Sequence, residues 1–255
     1  MTIDAEAYLR RIACDGPLQP SADTLRRIQV AHLLTVPFEN LSIHAREPIV
    51  LDDHALFDKI VVRRRGGFCY ELNGLFAALL RQLGFDVTML SAAAFGADGR
   101  CGPPFDHMAL MVGLEERWLV DVGFGDSFRE PLRLDARTVQ EHGDRAYRIA
   151  ADGGEFMLSQ RDGRGGWRHQ YRFDLTPHVY ADYAGMCHYH QTSPDSHFTR
   201  QRLCSLATAD GRITISGTRL IVTSREPRHE SPLDDEQAYA DALRHHFGIV
   251  MAAAT

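Results

Sequence analysis

The chain has 255 residues, of which 44% are hydrophobic and 24% charged, and carries a net charge of −6. Those fractions are ordinary for soluble globular chains and exclude disordered and fibrous classes, while the length suffices for one large domain or two to three small ones. The one basic run, Arg63-Arg64-Arg65, is too short to mark a nucleic-acid surface, and no apolar stretch reaches the roughly 18 residues that a membrane span requires.

The first residues, Met1-Thr2-Ile3-Asp4-Ala5-Glu6, show neither the basic n-region nor the apolar h-region of a secretory signal. Ser21 is placed to cap a helix over residues 23–34, which Pro37 stops. A stronger helix is expected from about Tyr70 to Leu83. Leu72, Leu75, Phe76, Leu79, Leu80 and Leu83 recur there at three- and four-residue spacing, and Gly84 follows as a C-cap. Strands are expected next at residues 85–90, 107–112 and 118–124, then around 147–149, 156–158 and 169–173. Turn signals at Asp152-Gly153-Gly154 and at residues 162–166 separate the later ones, and the region suggests a small antiparallel barrel. Strands at 203–208, 212–216 and 219–223 follow, and Pro232 is expected to open a helix over residues 234–247. Neither repeats nor a low-complexity linker interrupt the pattern, so the parts are expected to pack as one body.

The five cysteines, Cys14, Cys69, Cys101, Cys187 and Cys204, are odd in number, irregularly spaced and without a CxxC pair. That argues against a disulfide framework and for a reducing cytoplasm. Cys69 stands apart from the rest. It follows Gly66-Gly67-Phe68 and falls at the N-terminus of the strongest helix, where free N–H groups and the helix dipole favour a thiolate and are able to steady an oxyanion. A small buried hydrophobe is the other use of such a cysteine.

A thiol nucleophile needs a base and a group that orients it. His107 begins the strand His107-Met108-Ala109-Leu110-Met111-Val112, and Asp121 ends Trp118-Leu119-Val120-Asp121. With the turn centred on Leu114 the two face each other about 5 Å apart across a hairpin. With the turn centred between Glu115 and Glu116, His107 opposes Phe124 instead.

Four segments then resemble the arylamine N-acetyltransferase family. Residues 65–74, Arg-Gly-Gly-Phe-Cys-Tyr-Glu-Leu-Asn-Gly, look like its active-site signature, and Pro37-Phe38-Glu39-Asn40-Leu41 looks like its N-terminal block. Asp121-Val122-Gly123-Phe124-Gly125 resembles the segment of the triad aspartate, and Thr192-Ser193-Pro194-Asp195-Ser196-His197-Phe198 resembles a block bordering the cofactor cleft. The resemblance implies an α+β fold with a papain-like Cys-His-Asp triad of Cys69, His107 and Asp121. It implies an N-terminal helical bundle over residues 1–84, a central antiparallel β-barrel over 85–186 and a C-terminal α/β lid over 187–255. It further implies ping-pong transfer of an acetyl group from acetyl-CoA, the co-substrate, to arylamines, hydrazines or arylhydroxylamines, by a cytoplasmic monomer or homodimer with no nucleic-acid or membrane partner. By position, Phe38, Asp106, Phe124 and Phe198 correspond to the acceptor pocket, and Gly125, Tyr189, Asp195 and Ser196 to the surroundings of CoA.

Some features depart from the family pattern. Asp126 stands where a small neutral residue is usual, and a carboxylate there is unfavourable beside a pyrophosphate. Pro103-Pro104-Phe105 before His107 is also unusual, and the chain is somewhat short at its C-terminus, where members vary. The rival readings are a transglutaminase or papain-like enzyme, and an amide synthase of the same fold acting on a carrier-bound polyketide. Cys187-His188-Tyr189-His190 with Cys204 lacks the paired spacing of structural zinc sites, and no metal is expected.

Overall fold

A computed structural model describes residues 3–163, 165–224 and 228–251. The N-terminal part contains α1 (Ala5–Arg11), α2 (Ala22–Leu33), β1 (Phe38–Glu39), α3 (Leu41–His44) and α4 (Asp53–Phe57), the last continued by a π-helical turn over Asp58–Val62. Helix α5 (Cys69–Gln82) follows, then β2 (Asp86–Ala94), β3 (His107–Gly113), β4 (Arg117–Val120), β5 (Leu132–Arg133), β6 (Gln140–His142), β7 (Arg145–Asp152), β8 (Glu155–Asp162) and β9 (Arg168–Phe173). The chain closes with α6 (Tyr180–Thr192), α7 (His197–Arg200), β10 (Leu203–Ala207), β11 (Arg212–Ser216), β12 (Arg219–Thr223), β13 (His229–Pro232) and α8 (Glu236–Phe247).

Ser21 caps α2 as its sequence implies, its Oγ accepting the Thr24 N–H at 3.1 Å. Helix α5 is buried along nearly its whole length, which is why it is apolar on more than one face. It packs against β2, β3, α1, α4 and α6 and forms the axis around which the molecule is arranged.

Strands β2 to β9 form one antiparallel sheet in the order β5-β4-β3-β2-β9-β8-β7-β6. The Gln140 side chain joins its two edges. Its Oε1 accepts the Arg133 N–H at 2.8 Å and its Nε2 donates to the Arg133 carbonyl at 3.1 Å, so one amide does the work of a ladder pair and the sheet curls into a nearly closed barrel. Alternation decides what each residue faces. Val87, Met89, Met108, Leu110 and Val112 point to the helices, whereas Leu90, Ala92 and Ala109 join Leu158, Tyr171 and Phe173 inside the barrel. Burial on both faces accounts for the unbroken apolar run of β3.

The second sheet, β1-β10-β11-β12-β13, is also antiparallel. It recruits β1 from the N-terminal part, with Phe38 opposite Ser205 and Glu39 opposite Cys204. Helix α8 covers it through Tyr239, Leu243 and Phe247 against Cys204 and Ile215.

Two local expectations differ from the structure. Pro232 ends β13, paired with Arg219, and Asp235 caps α8 by accepting the Ala238 N–H at 2.7 Å; an edge strand tolerates a residue without an N–H. The division set after residue 186 falls inside α6, whose Tyr183, Cys187 and His190 turn inward at helical spacing. Residues 162–166 do turn, with the Gly165 N–H on the Asp162 carbonyl at 2.9 Å, although Arg164 lies outside the described residues.

Candidate active site

The first turn of α5 is held from behind by a buried ion network. Arg65 meets Glu39 Oε1 through Nη2 at 2.8 Å and Nε at 3.0 Å. Lys59 Nζ lies 2.6 Å from Glu71 Oε1 and 3.9 Å from Glu39 Oε1. The remaining oxygens are used as well. Glu71 Oε2 accepts the Phe68 N–H at 3.1 Å and Glu39 Oε2 accepts the Leu41 N–H at 2.6 Å. Burial alone would raise the Glu39 carboxyl, but Lys59 and Arg65 hold it below its usual range. Gly66 is needed because a Cβ there would lie 1.9 Å from the Pro37 carbonyl oxygen, and β1 runs alongside, with the Glu39 N–H donating to the Gly67 carbonyl at 2.9 Å. The two N-terminal motifs of the sequence are therefore the two sides of a single packed junction. Asn40 extends it to the C-terminal part, donating to the Phe198 and Gln201 carbonyls, both at 2.8 Å, and accepting the Leu203 N–H at 2.7 Å.

On the opposite side of that turn, Cys69 and His107 line one cavity, and Asp121 engages the imidazole. Neither expected hairpin register holds. Leu110 pairs with Val120 and Gly113 with Arg117, so the turn is centred on Glu115. His107 therefore has no partner on β4, which ends at Val120. Asp121 meets it by leaving the ladder: His107 Nε2 lies 2.7 Å from Asp121 Oδ2. Asn73, one turn along α5 from Cys69, holds Asp121 there. Its Nδ2 donates to Asp121 Oδ1 at 2.9 Å and to the Met108 carbonyl at 2.6 Å, and its Oδ1 accepts the Val122 N–H at 2.9 Å. The Gly123 N–H also donates to Asp121 Oδ1, at 2.8 Å. At Gly123 a Cβ would stand 2.7 Å from Cys69 Cα, so the loop passes the thiol with no room for a side chain. Phe124 and Tyr171 brace the imidazole, each with its ring centroid at 5.1 Å.

The thiol departs from what a helix start implies on its own. Cys69 is 3% exposed, and burial pushes its pKa well above the ordinary value. An N–H bond from Met108 opposes that rise, while the Asp106 and Asp121 carboxylates add to it. Desolvation works against the helix N-terminus here, and the imidazole on the same cavity wall offers a base to take the proton.

These groups open on a cavity of about 540 Å³. Phe38, Asp106, Phe124, Gly125 and Phe198, all singled out in the sequence, line it. Tyr189, Asp195 and Ser196 do not. Tyr189 is 39% exposed on the surface and Asp195 is also exposed. Ser196 is buried, its Oγ 3.0 Å from His190 Nδ1 and accepting the Phe198 N–H at 3.2 Å. The lining also includes His197, a member of the block over residues 192–198, and Ser205, Arg212 and Thr214, which carried no recognisable sequence signal. Asp126 is not the isolated negative charge that its position in the sequence suggested. Arg145 grips both of its oxygens, at 2.7 and 3.1 Å, and Arg212 Nε lies at 3.2 Å.

Among the described residues no group of three or more His, Cys, Asp or Glu side chains is arranged to hold a metal ion. Since α6 is a helix, His188 is exposed and His190 buried, and Cys204 belongs to the sheet under α8. None of the described helices is long and apolar enough to cross a membrane.

A buried cysteine that shares a cavity wall with a histidine–carboxylate pair, between a helical part and a barrel, is the constellation that thiol-based acyl transfer uses. A family profile described as N-acetyltransferase matches residues 21–255. The arylamine N-acetyltransferase of Mycolicibacterium smegmatis is 37% identical over 98% of this chain and 93% of its own length. The solved arylamine N-acetyltransferase of Salmonella typhimurium superposes with a TM-score of 0.91 at 30% identity, covering 98% of this chain and 92% of that one. That of Mycobacterium marinum in complex with CoA gives 0.88 at 33%, covering 96% and 93%. The chain belongs to the arylamine N-acetyltransferase family and is an acetyltransferase enzyme.

Proposed function

We propose that the chain moves an acetyl group from acetyl-CoA to an arylamine, hydrazine or arylhydroxylamine through an acetyl-cysteine on Cys69, in two half-reactions that share one cavity. The observation that carries this reading is one cavity lined by Cys69, His107 and an aromatic set, with His107 Nε2 engaged by Asp121 at 2.7 Å.

With Nε2 committed to Asp121, His107 has Nδ1 left to exchange protons. It takes the Cys69 proton, and Asp121 stabilises the resulting imidazolium. The thiolate attacks the acetyl carbonyl carbon, the carbon–sulfur bond to CoA breaks, and CoA departs with the proton from His107. The acceptor nitrogen then attacks the acetyl-cysteine, gives its proton to His107 and leaves acetylated, which restores the thiol.

The cavity suits CoA on the side of the second sheet. Ser205 and Thr214 bring hydroxyls there and Arg212 a guanidinium, and the pairing of Asp126 with Arg145 removes the repulsion a diphosphate would otherwise meet. One structural neighbour was solved with CoA bound, which supports the same co-substrate here. The five cysteines are all unpaired, in keeping with work in the cytoplasm.

The test is CoA release from acetyl-CoA by the purified protein, with and without an arylamine or hydrazine. Acceptor-dependent release, blocked by one equivalent of iodoacetamide on Cys69, is the expected result. Absence of release with every acceptor sinks the reading and points to a carrier-bound acyl donor.

A further inference from the structure

The cavity carries a second histidine–carboxylate pair that the transfer steps do not use. Asp106 precedes His107 in the chain and lines the same cavity. Its Oδ1 lies 3.2 Å from His190 Nε2, and the His190 side chain is 3% exposed. Behind it, His190 Nδ1 is 3.0 Å from Ser196 Oγ, and the imidazole is packed against Phe198 and Tyr70, at 5.1 and 6.2 Å between centroids. Ser196 thus holds the histidine, whose Nε2 stands within 3.2 Å of the carboxylate without a well-aligned hydrogen bond to it.

The backbone that presents Asp106 is strained. Phe105 has φ = +64°, in the left-handed region that bulky residues rarely adopt. Contacts on three sides hold it there. The Phe105 N–H donates to Ser91 Oγ at 2.8 Å, and the Tyr70 hydroxyl donates to the Phe105 carbonyl at 2.7 Å. The ring is wedged edge-on against His178 and Tyr183 at 4.8 and 5.3 Å. Strain fixed this firmly beside a cavity points to a use for the side chain it displays.

The two carboxylates on the cavity wall also differ in compensation. Asp126 is gripped by two arginines. Among the described residues Asp106 has no Lys or Arg partner, and His190 is its one ion-pair contact. Its field reaches the reacting atoms, since it is one of the charges that push the Cys69 thiol up.

We propose that Asp106, positioned by His190, selects acyl acceptors by charge: it favours amines that bring a second, cationic group into the cavity and turns away those that carry a carboxylate. The proposal rests on the acetyl-transfer reading above. Discrimination of this kind is a difference between two binding free energies, and an unfavourable like charge contributes as much as an attractive opposite one.

The experiment measures kcat/KM for three arylamines of matched nucleophilicity, para-toluidine, para-(trimethylammoniomethyl)aniline and para-aminophenylacetate, with the wild-type enzyme and with Asp106→Asn. Asparagine keeps an oxygen for His190 and removes only the charge. The wild type is expected to favour the cationic over the anionic acceptor by about tenfold, more weakly in high salt. Asp106→Asn should move that ratio about tenfold toward the anion, over and above whatever change it makes for para-toluidine. An equal fall for all three acceptors, or an unchanged ratio, overturns the proposal and leaves Asp106 a structural residue. If the variant does not fold, the wild-type ranking and its salt dependence decide: no preference against the anion overturns it. Loss of activity toward para-toluidine in the wild type would strike the acetyl-transfer reading instead.

Discussion

Two buried polar constellations meet at the first turn of α5, and they are built to opposite rules. Glu39, Lys59, Arg65 and Glu71 are each no more than 5% exposed and balance two anions against two cations. Their spare oxygens are taken by the Leu41 and Phe68 N–H groups. The side holding Cys69, His107 and Asp121 is as deeply buried but ends at a cavity, with a thiol and one imidazole nitrogen left to act on whatever enters. A polar network closed on itself fixes geometry. One left open at its end has room for a reactant. Glu71 belongs to the closed network and Asn73 to the open one, on the same helix. The comparison therefore predicts which substitutions cost rate and which cost stability.

The largest effects on rate belong to the open side. Cys69→Ser should lower acetyl transfer on the order of 10⁴-fold or more while the fold survives, because a hydroxyl is far harder to ionise. Turnover near wild type in that variant would remove Cys69 as the nucleophile. Asp121→Asn should lower kcat by roughly 10³–10⁴-fold through the wrong imidazole tautomer, with little change in the denaturation midpoint. An unaltered kcat would mean that the 2.7 Å contact to His107 has no part in the chemistry.

The closed side should answer in the other currency. Glu71→Gln removes the charge 2.6 Å from Lys59 and leaves it only the 3.9 Å ion-pair contact to Glu39, and breaking a buried ion pair in this way costs about 3–5 kcal/mol. Urea denaturation should show that loss, and turnover of the folded protein should stay near wild type. Asn73→Ala sits between the two. It strips hydrogen bonds from Asp121, Met108 and Val122, which should cost about 1–3 kcal/mol for each buried group left unpaired and lower the rate as well. If Glu71→Gln lowered kcat as strongly as Asn73→Ala, the two sides would not be separable.

How much of this could be read in the sequence follows from the range of each interaction. Local rules placed Ser21 as a cap and α5 within a residue of its start, because capping and helical period are nearest-neighbour properties. The motifs around Phe38, Cys69 and Asp121 pointed to a shared site. Their meeting was not legible, because it depends on β1 pairing with β10 across more than 160 residues and on ion pairs such as Glu39 with Arg65. The hairpin register failed by one or two positions, since an apolar strand buried on both faces gives no alternation to set it. Asn73 did have a signal: it stands four residues from Cys69 and so on the same face of α5. His190 had none, because nothing in the sequence sets it apart from His188 and only α6 shows it facing inward.

The smallest predicted effect bears on the open side most directly, through the sign of a pH dependence. Burial raises the Cys69 thiol above its ordinary value in the folded chain. Below the unfolded thiol value of about 8.5, both states hold the proton and the contribution to stability is fully present. As the pH rises beyond it, the unfolded thiol ionises while the folded one does not, so this contribution is lost, at up to about 1.4 kcal/mol per pH unit for one group. Cys187 and Cys204, also raised, add a slope of the same sign, so the quantity to measure is the difference between wild type and Cys69→Ser. Urea midpoints between pH 8 and pH 10 should fall less steeply in the variant. A resident thiolate–imidazolium pair, which the helix start alone suggests, predicts the reverse. Cys69 would then stabilise the fold more as the pH rises toward 8.5, and the variant would lose stability relative to wild type over that range. The direction of that difference tells whether the thiol of the free enzyme is kept protonated until a substrate arrives.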